Sequence, residues 1–230
     1  MSSSDPLGGL QIALVALFIT ALVTAQVTAS KVLAFGLPFS LPLTGDAIIL
    51  PGAAVAYALT FFATDCYAEL YGRRPAQVLV NVGFAANFVF LGLAWLAIGL
   101  PIAANSPVPQ DQFSSVIGAS TGIVAGSLVA YLVSQNWDVI VFHRLREYTD
   151  GDALWLRNIV STASSQLIDT VIFISIAFVI FQGMPLNVAI GLMVGQYIFK
   201  LAIALLDTPF VYAVVRFARG KRQPAAVTAD

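Results

Sequence analysis

Charge is scarce in this chain: Asp, Glu, Lys and Arg make up 10% of its 230 residues, where a soluble domain carries about 25%. With 59% hydrophobic residues and a mean hydropathy of +0.87, it has too little polar surface to face water all round. It reads as an integral membrane protein. Cysteine and histidine are scarcer still. The one Cys, Cys66, excludes an internal disulfide, and with one His, His143, a structural His/Cys metal site is not expected. There is no Walker-type phosphate loop, so ATP hydrolysis is not expected in this chain. No nucleophile, base and orienting group form a catalytic set, so the chain reads as a non-enzyme with no cofactor. A net charge of −1 argues against a nucleic-acid partner. Residues 1–10 hold no Lys or Arg, so the first apolar run lacks the positive flank of a cleavable signal.

What the chain does have is apolar runs, at about 10–30, 47–71, 77–99, 113–142, 154–181 and 187–217. Each is near or above the ~20 residues a helix needs to cross the hydrocarbon. This predicts an all-α polytopic fold with six transmembrane helices. Residues 34–46, with two prolines and two glycines, and residues 101–112 are too broken for helix and read as outer loops, the first folded over the mouth. Arg73, Arg74, Arg144, Arg146, Arg157, Arg216, Arg219, Lys221 and Arg222 all fall on the other side of a six-helix plan. The positive-inside rule makes that side cytoplasmic, both termini included. The expected organisation is one six-helix domain over 1–219 and a disordered cytoplasmic tail over 220–230.

The run LWLRNIVSTASSQLIDTVIF, 154–173, organises the rest. Asn158, Ser161, Thr162, Ser165, Gln166 and Asp169 recur every three or four residues, which puts them on one helical face. A carboxylate at bilayer depth costs a few kcal/mol even on the lowest scales. Such a face must look into protein or a watery cavity, and it reads as one wall of a small-molecule path. Lys200 falls near the middle of the last run, with Gln196 one turn outward and Asp207 about two turns inward on the same face. Asp169 and Lys200 lie at similar depth on consecutive helices, which suggests a pair. Either the pair clamps the two helices together, or substrate or a proton alternates with one partner.

Asp65 and Glu69 lie one turn apart near the inner end of the second helix, with Arg73 four further on. They are coupling or gating candidates together with Asp207 and Lys31, although Glu69 and Arg73 also fit an ordinary surface pair. Asp138, about a turn inside the fourth helix, is a gate or a clamp with Arg144 or Arg157. One internal echo is present: Ser134-Gln135-x-x-Asp138-x-x-x-Phe142 and Ser165-Gln166-x-x-Asp169-x-x-x-Phe173. Gly83, Gly118, Gly122 and Gly126 are either a docking face or tight internal packing.

Several stretches carry a resemblance. They are Thr64-Asp65 with Glu69-Leu70-Tyr71-Gly72, SQNWDVIVFHRLRE (134–147), LWLRNIVSTASSQLIDT (154–170), Phe199-Lys200 and LLDTPF (205–210). In these the chain resembles the prokaryotic queuosine precursor transporters, formerly grouped as vitamin uptake transporters. The resemblance implies import of 7-cyano- or 7-aminomethyl-7-deazaguanine, used in tRNA modification, across the plasma (inner) membrane by a secondary carrier. The six-helix plan is also similar to the substrate-binding subunits of energy-coupling-factor transporters. A binding subunit that needs a separate energising module is therefore the alternative, and a homodimer stays open. A purine-like base suits the polar residues. A carboxylate accepts its adjacent N–H donors and an amide reads the neighbouring carbonyl. Asp169 with Gln166, Ser165 and Asn158, or Asp138 with Gln135, supplies that chemistry beside Lys200, with aromatics sandwiching the ring.

Overall fold

The computed structural model of the chain describes residues 8–41, 45–149 and 154–222; the side chains of 41, 154, 155, 157, 158 and 219–222 lie outside that description. The elements are α1 (Gly9–Thr28), β1 (Val32–Leu41), β2 (Gly45–Pro51), α2 (Ala54–Tyr71), α3 (Arg73–Gly99), α4 (Gln110–Gly118), α5 (Ser120–Tyr148), α6 (Leu154–Ile174), α7 (Leu186–Leu206) and α8 (Thr208–Arg222). A π-helical segment, Ser175–Ile180, continues α6. Among the described residues five helical stretches are long and apolar enough to cross a membrane: Gly9–Thr28, Arg73–Gly99, Gln110–Tyr148, Ile159–Ile180 and Leu186–Ala218. Helix α2 is not among them, because Asp65, Glu69 and three tyrosines lower its hydropathy. Large apolar side chains such as Phe88, Leu93, Leu96, Ile159 and Ile180 stay exposed, as lipid-facing surfaces require. This is a mostly helical, multi-pass membrane protein.

The chain is mostly helical, as expected of an all-α membrane protein, but Val32–Leu41 and Gly45–Pro51 pair as strands. The stretch read as an outer loop is an antiparallel β-hairpin, and the second helix starts at Ala54 rather than near 47. Pro38 and the glycines bar helix but not a two-stranded ribbon, which satisfies its backbone groups by pairing. The strands pair from Val32↔Pro51 to Gly36↔Ala47, and Pro38 falls in the irregular stretch before Leu41↔Gly45, where a missing N–H matters least. The root of the hairpin is pinned at two places. Gly52 donates its N–H to the Lys31 carbonyl at 2.6 Å, and the Thr28 carbonyl leaves no room for a Cβ there. Strand β2 lies along α7, where the Ile49 carbonyl fills the space that a side chain at Gly195 would take.

Two helices expected to run unbroken are interrupted. Only Ala119 separates α4 from α5. The last run splits at Asp207, because Pro209 lacks an N–H for the Leu205 carbonyl; Thr208 meanwhile donates its hydroxyl to the Ala204 carbonyl at 3.0 Å. Of the glycines, Gly83 packs on Phe18 and Leu22, Gly122 on Phe181, and Gly126 on the Phe173 carbonyl and Ala177. These three serve close packing within the chain. Helix α8 runs to Arg222, and residues 223–230 of the expected tail lie outside the described residues.

One buried core joins α1, α5, the π-helical segment and α7 around Ala25, Ile123, Ile174, Phe178 and Leu192. A second joins α1, α2 and α3 around Phe18, Leu22, Cys66 and Leu79. Gln11 donates from Nε2 to the Tyr67 hydroxyl at 2.9 Å. That bond sets the start of α1 beside the end of α2, at the end of the molecule that carries Arg73 and Arg74.

Candidate functional site

Three helical stripes converge between the two ends. On α2, Tyr57, Phe61, Asp65 and Glu69 recur every four residues, with Arg73 at the start of α3 just beyond; on α6, Thr162, Gln166 and Asp169 do so every three or four; on α7, Gln196, Lys200 and Ile203 continue to Asp207. Each spacing puts its residues on one face. With α8 closing the side, these faces enclose a cavity of about 610 Å³ lined by Phe61, Asp65, Glu69, Arg73, Thr162, Gln166, Lys200, Asp207 and Tyr212 among others. That volume suits a small organic molecule. Arg73 at the wall places the cavity toward the arginine-bearing end.

At the inner wall Lys200 Nζ bonds Asp169 Oδ2 across the α6–α7 contact. The lysine side chain is 10% exposed and the aspartate 24%, so the pair borders the cavity without standing in it. Asp169 also accepts a long bond, 3.5 Å, from the Ser134 hydroxyl on α5. Asp65 and Asp207 both line the cavity. A site rich in carboxylates with one lysine favours a ligand that donates hydrogen bonds.

The internal echo has a structural counterpart. Ser134 of α5 donates to Asp169 of α6, and Ser165 of α6 donates to Asp138 of α5 at 3.2 Å. Two antiparallel helices related by a local two-fold produce such reciprocal contacts, as an isologous interface does. The symmetry ends there. Helix α7 brings Lys200 onto α6; Gln166 faces the cavity, while Gln135 is exposed on α5.

The sequence-predicted residues thus divide. Asp169, Gln166, Lys200, Asp65, Glu69 and Asp207 come together at or behind the cavity wall. Ser165 and Asp138 bond each other at the α5–α6 seam instead, and Gln135 is not at the cavity. Lys31 is exposed at the hairpin end, away from it. The side chain of Asn158 lies outside the described residues, as does that of Arg157, one of the partners suggested for Asp138.

Sequence reasoning gave no role to Tyr57 and Phe61 and named Phe199 only among the stretches that carry the resemblance. They line a second, narrow pocket of about 20 Å³ beyond Lys200, and Tyr57 shares a 3.0 Å hydrogen bond with Ser127 of α5. The signal was present in the four-residue spacing that runs from Tyr57 through Phe61 and Asp65 to Glu69.

Helices of membrane-spanning length around a charged, solute-sized cavity define a multi-pass membrane protein with the architecture of a transporter. Comparison with known proteins agrees. The family model described as "Putative vitamin uptake transporter" matches residues 51–214, and the chain belongs to that family. A Bacillus subtilis (strain 168) protein named "Probable queuosine precursor transporter" is 36% identical over 162 residues, 69% of each chain. A Haemophilus influenzae protein of the same name is 27% identical over 164 residues, 70% of this chain and 66% of its own length. These relatives are named as transporters, not enzymes. No solved structure gives a significant match.

Proposed function

We propose that the chain imports a queuosine precursor, 7-cyano- or 7-aminomethyl-7-deazaguanine, as a secondary carrier in the plasma membrane. In this reading α2 is the sixth crossing, too polar to score by hydropathy because it lines the path, and both termini are cytoplasmic with the arginines. The cavity then opens inward. The observation that carries the proposal is the Lys200–Asp169 pair at its wall. A carboxylate held by a movable ammonium can exchange that partner for the adjacent N–H donors of a guanine-like edge, while the Gln166 amide reads the neighbouring carbonyl. Charge stays matched before and after, so the exchange avoids exposing a bare carboxylate at bilayer depth. The names and identities of the relatives support the substrate class.

Uptake of labelled deazaguanine by the purified chain in liposomes tests the proposal. Wild type is expected to transport, and Asp169→Asn to lose uptake at least tenfold with normal insertion. Wild-type uptake by that variant would refute the assignment. Transport that appears only after adding an ATP-driven module would favour the binding-subunit alternative.

A further inference from the structure

The narrow pocket beyond Lys200 has the lining of a binding site but not the room. Its walls are aromatic from three helices, Tyr57 and Phe61 on α2, Phe173 on α6 and Phe199 on α7, and Pro51 at the root of the hairpin closes its outer side. Its one side-chain amide is Gln196, which is 6% exposed and whose Oε1 has no hydrogen-bond partner among the described residues. A buried acceptor left unmet is destabilising, and native proteins keep few of them without a reason. About 20 Å³ of space holds roughly one water molecule, not a bicyclic ring.

The partition between this pocket and the large cavity consists of side chains. Phe61, Lys200 and Ile203 line both spaces, and of these Lys200 is the long, flexible one, held in place by Asp169. Gln196 stands one turn beyond Lys200, about 6 Å along the helix axis at 1.5 Å per residue, less than the long axis of a purine.

We infer that this aromatic pocket is the seat of the transported ring, a planar purine-sized heterocycle, and that it opens when the ligand takes Asp169 and releases Lys200. The inference rests on the proposed function and deepens it. One edge of the base bonds Asp169, the ring lies between the aromatic walls, and a donor on the far edge meets the unsatisfied Gln196 carbonyl. The lysine is then both counter-ion and door.

Equilibrium binding of 7-cyano-7-deazaguanine to the purified full chain in nanodiscs, with thermal unfolding measured in parallel, tests this. Gln196→Leu is expected to weaken binding at least tenfold while the unfolding midpoint stays level or rises, because the substitution removes an unmet buried acceptor. A merely structural glutamine would instead lose midpoint and leave affinity unchanged. Ala58→Phe, which fills the pocket and keeps Gln196, is expected to abolish binding, and it decides the question if the leucine variant does not insert. Wild-type affinity in Gln196→Leu, or in Ala58→Phe, would overturn the pocket and leave the transport reading intact. A wild-type chain that binds no deazaguanine would overturn both.

Discussion

Removing the ammonium of Lys200 is the sharpest perturbation the fold offers. Lys200→Met keeps the length of the side chain and leaves Asp169 with one protein donor among the described residues, Ser134 at 3.5 Å. Stripping one partner from a fully buried ion pair costs about 3–5 kcal/mol. Asp169 is 24% exposed beside the cavity, so water recovers part of this, and a loss of about 2 kcal/mol is expected. Asp169→Asn should behave differently. It leaves a lysine whose stem can swing its charge into a cavity that already holds Asp65, Glu69 and Asp207, and the expected loss is below about 1 kcal/mol. The double variant should resemble Asp169→Asn alone, a coupling of about 2 kcal/mol by double-mutant cycle. The assay is reversible unfolding in mixed micelles with increasing sodium dodecyl sulfate. Equal losses in the two single variants, adding simply in the double, would show that the pair carries no energy in the membrane and that the cavity wall has been misread.

Two further outcomes follow from packing and hydrogen bonding. Gly195→Ala drives a methyl group into the Ile49 carbonyl, and overpacking of this kind costs about 1–3 kcal/mol; Gly92→Ala on α3 meets nothing within 4 Å and should gain up to about 1 kcal/mol. Thermal unfolding of both variants checks the contrast, with faster proteolysis of the hairpin expected in Gly195→Ala only. Ser165→Ala, which removes a 3.2 Å bond to Asp138, should destabilise by about 0.5–1.5 kcal/mol. Ser134→Ala should cost less, because its 3.5 Å bond is long and Asp169 keeps Lys200.

The periodic polar residues made the site legible before any fold was known. Charge at bilayer depth is so unfavourable that Asp169 and Lys200, on consecutive helices at similar depth, had few other solutions than each other. Hydropathy and length likewise announced the membrane and most of its helices. The β-hairpin was not legible, because prolines and glycines say only where a helix cannot form. Whether such a stretch is a loop or a paired ribbon depends on a partner strand and on the Gly195 notch it rests in, neither of which is local.

What the sequence determined by itself is therefore what one helix can decide alone: its depth, its polar face and the need of that face for company. Which faces meet was settled only by packing. The two copies of the Ser-Gln-x-x-Asp echo are nearly equivalent as sequence, yet α7 brings its lysine to the α6 copy. With that one asymmetry Gln166 faces a cavity and Gln135 does not, and Asp169 has a lysine where Asp138, among the described side chains, receives a serine hydroxyl.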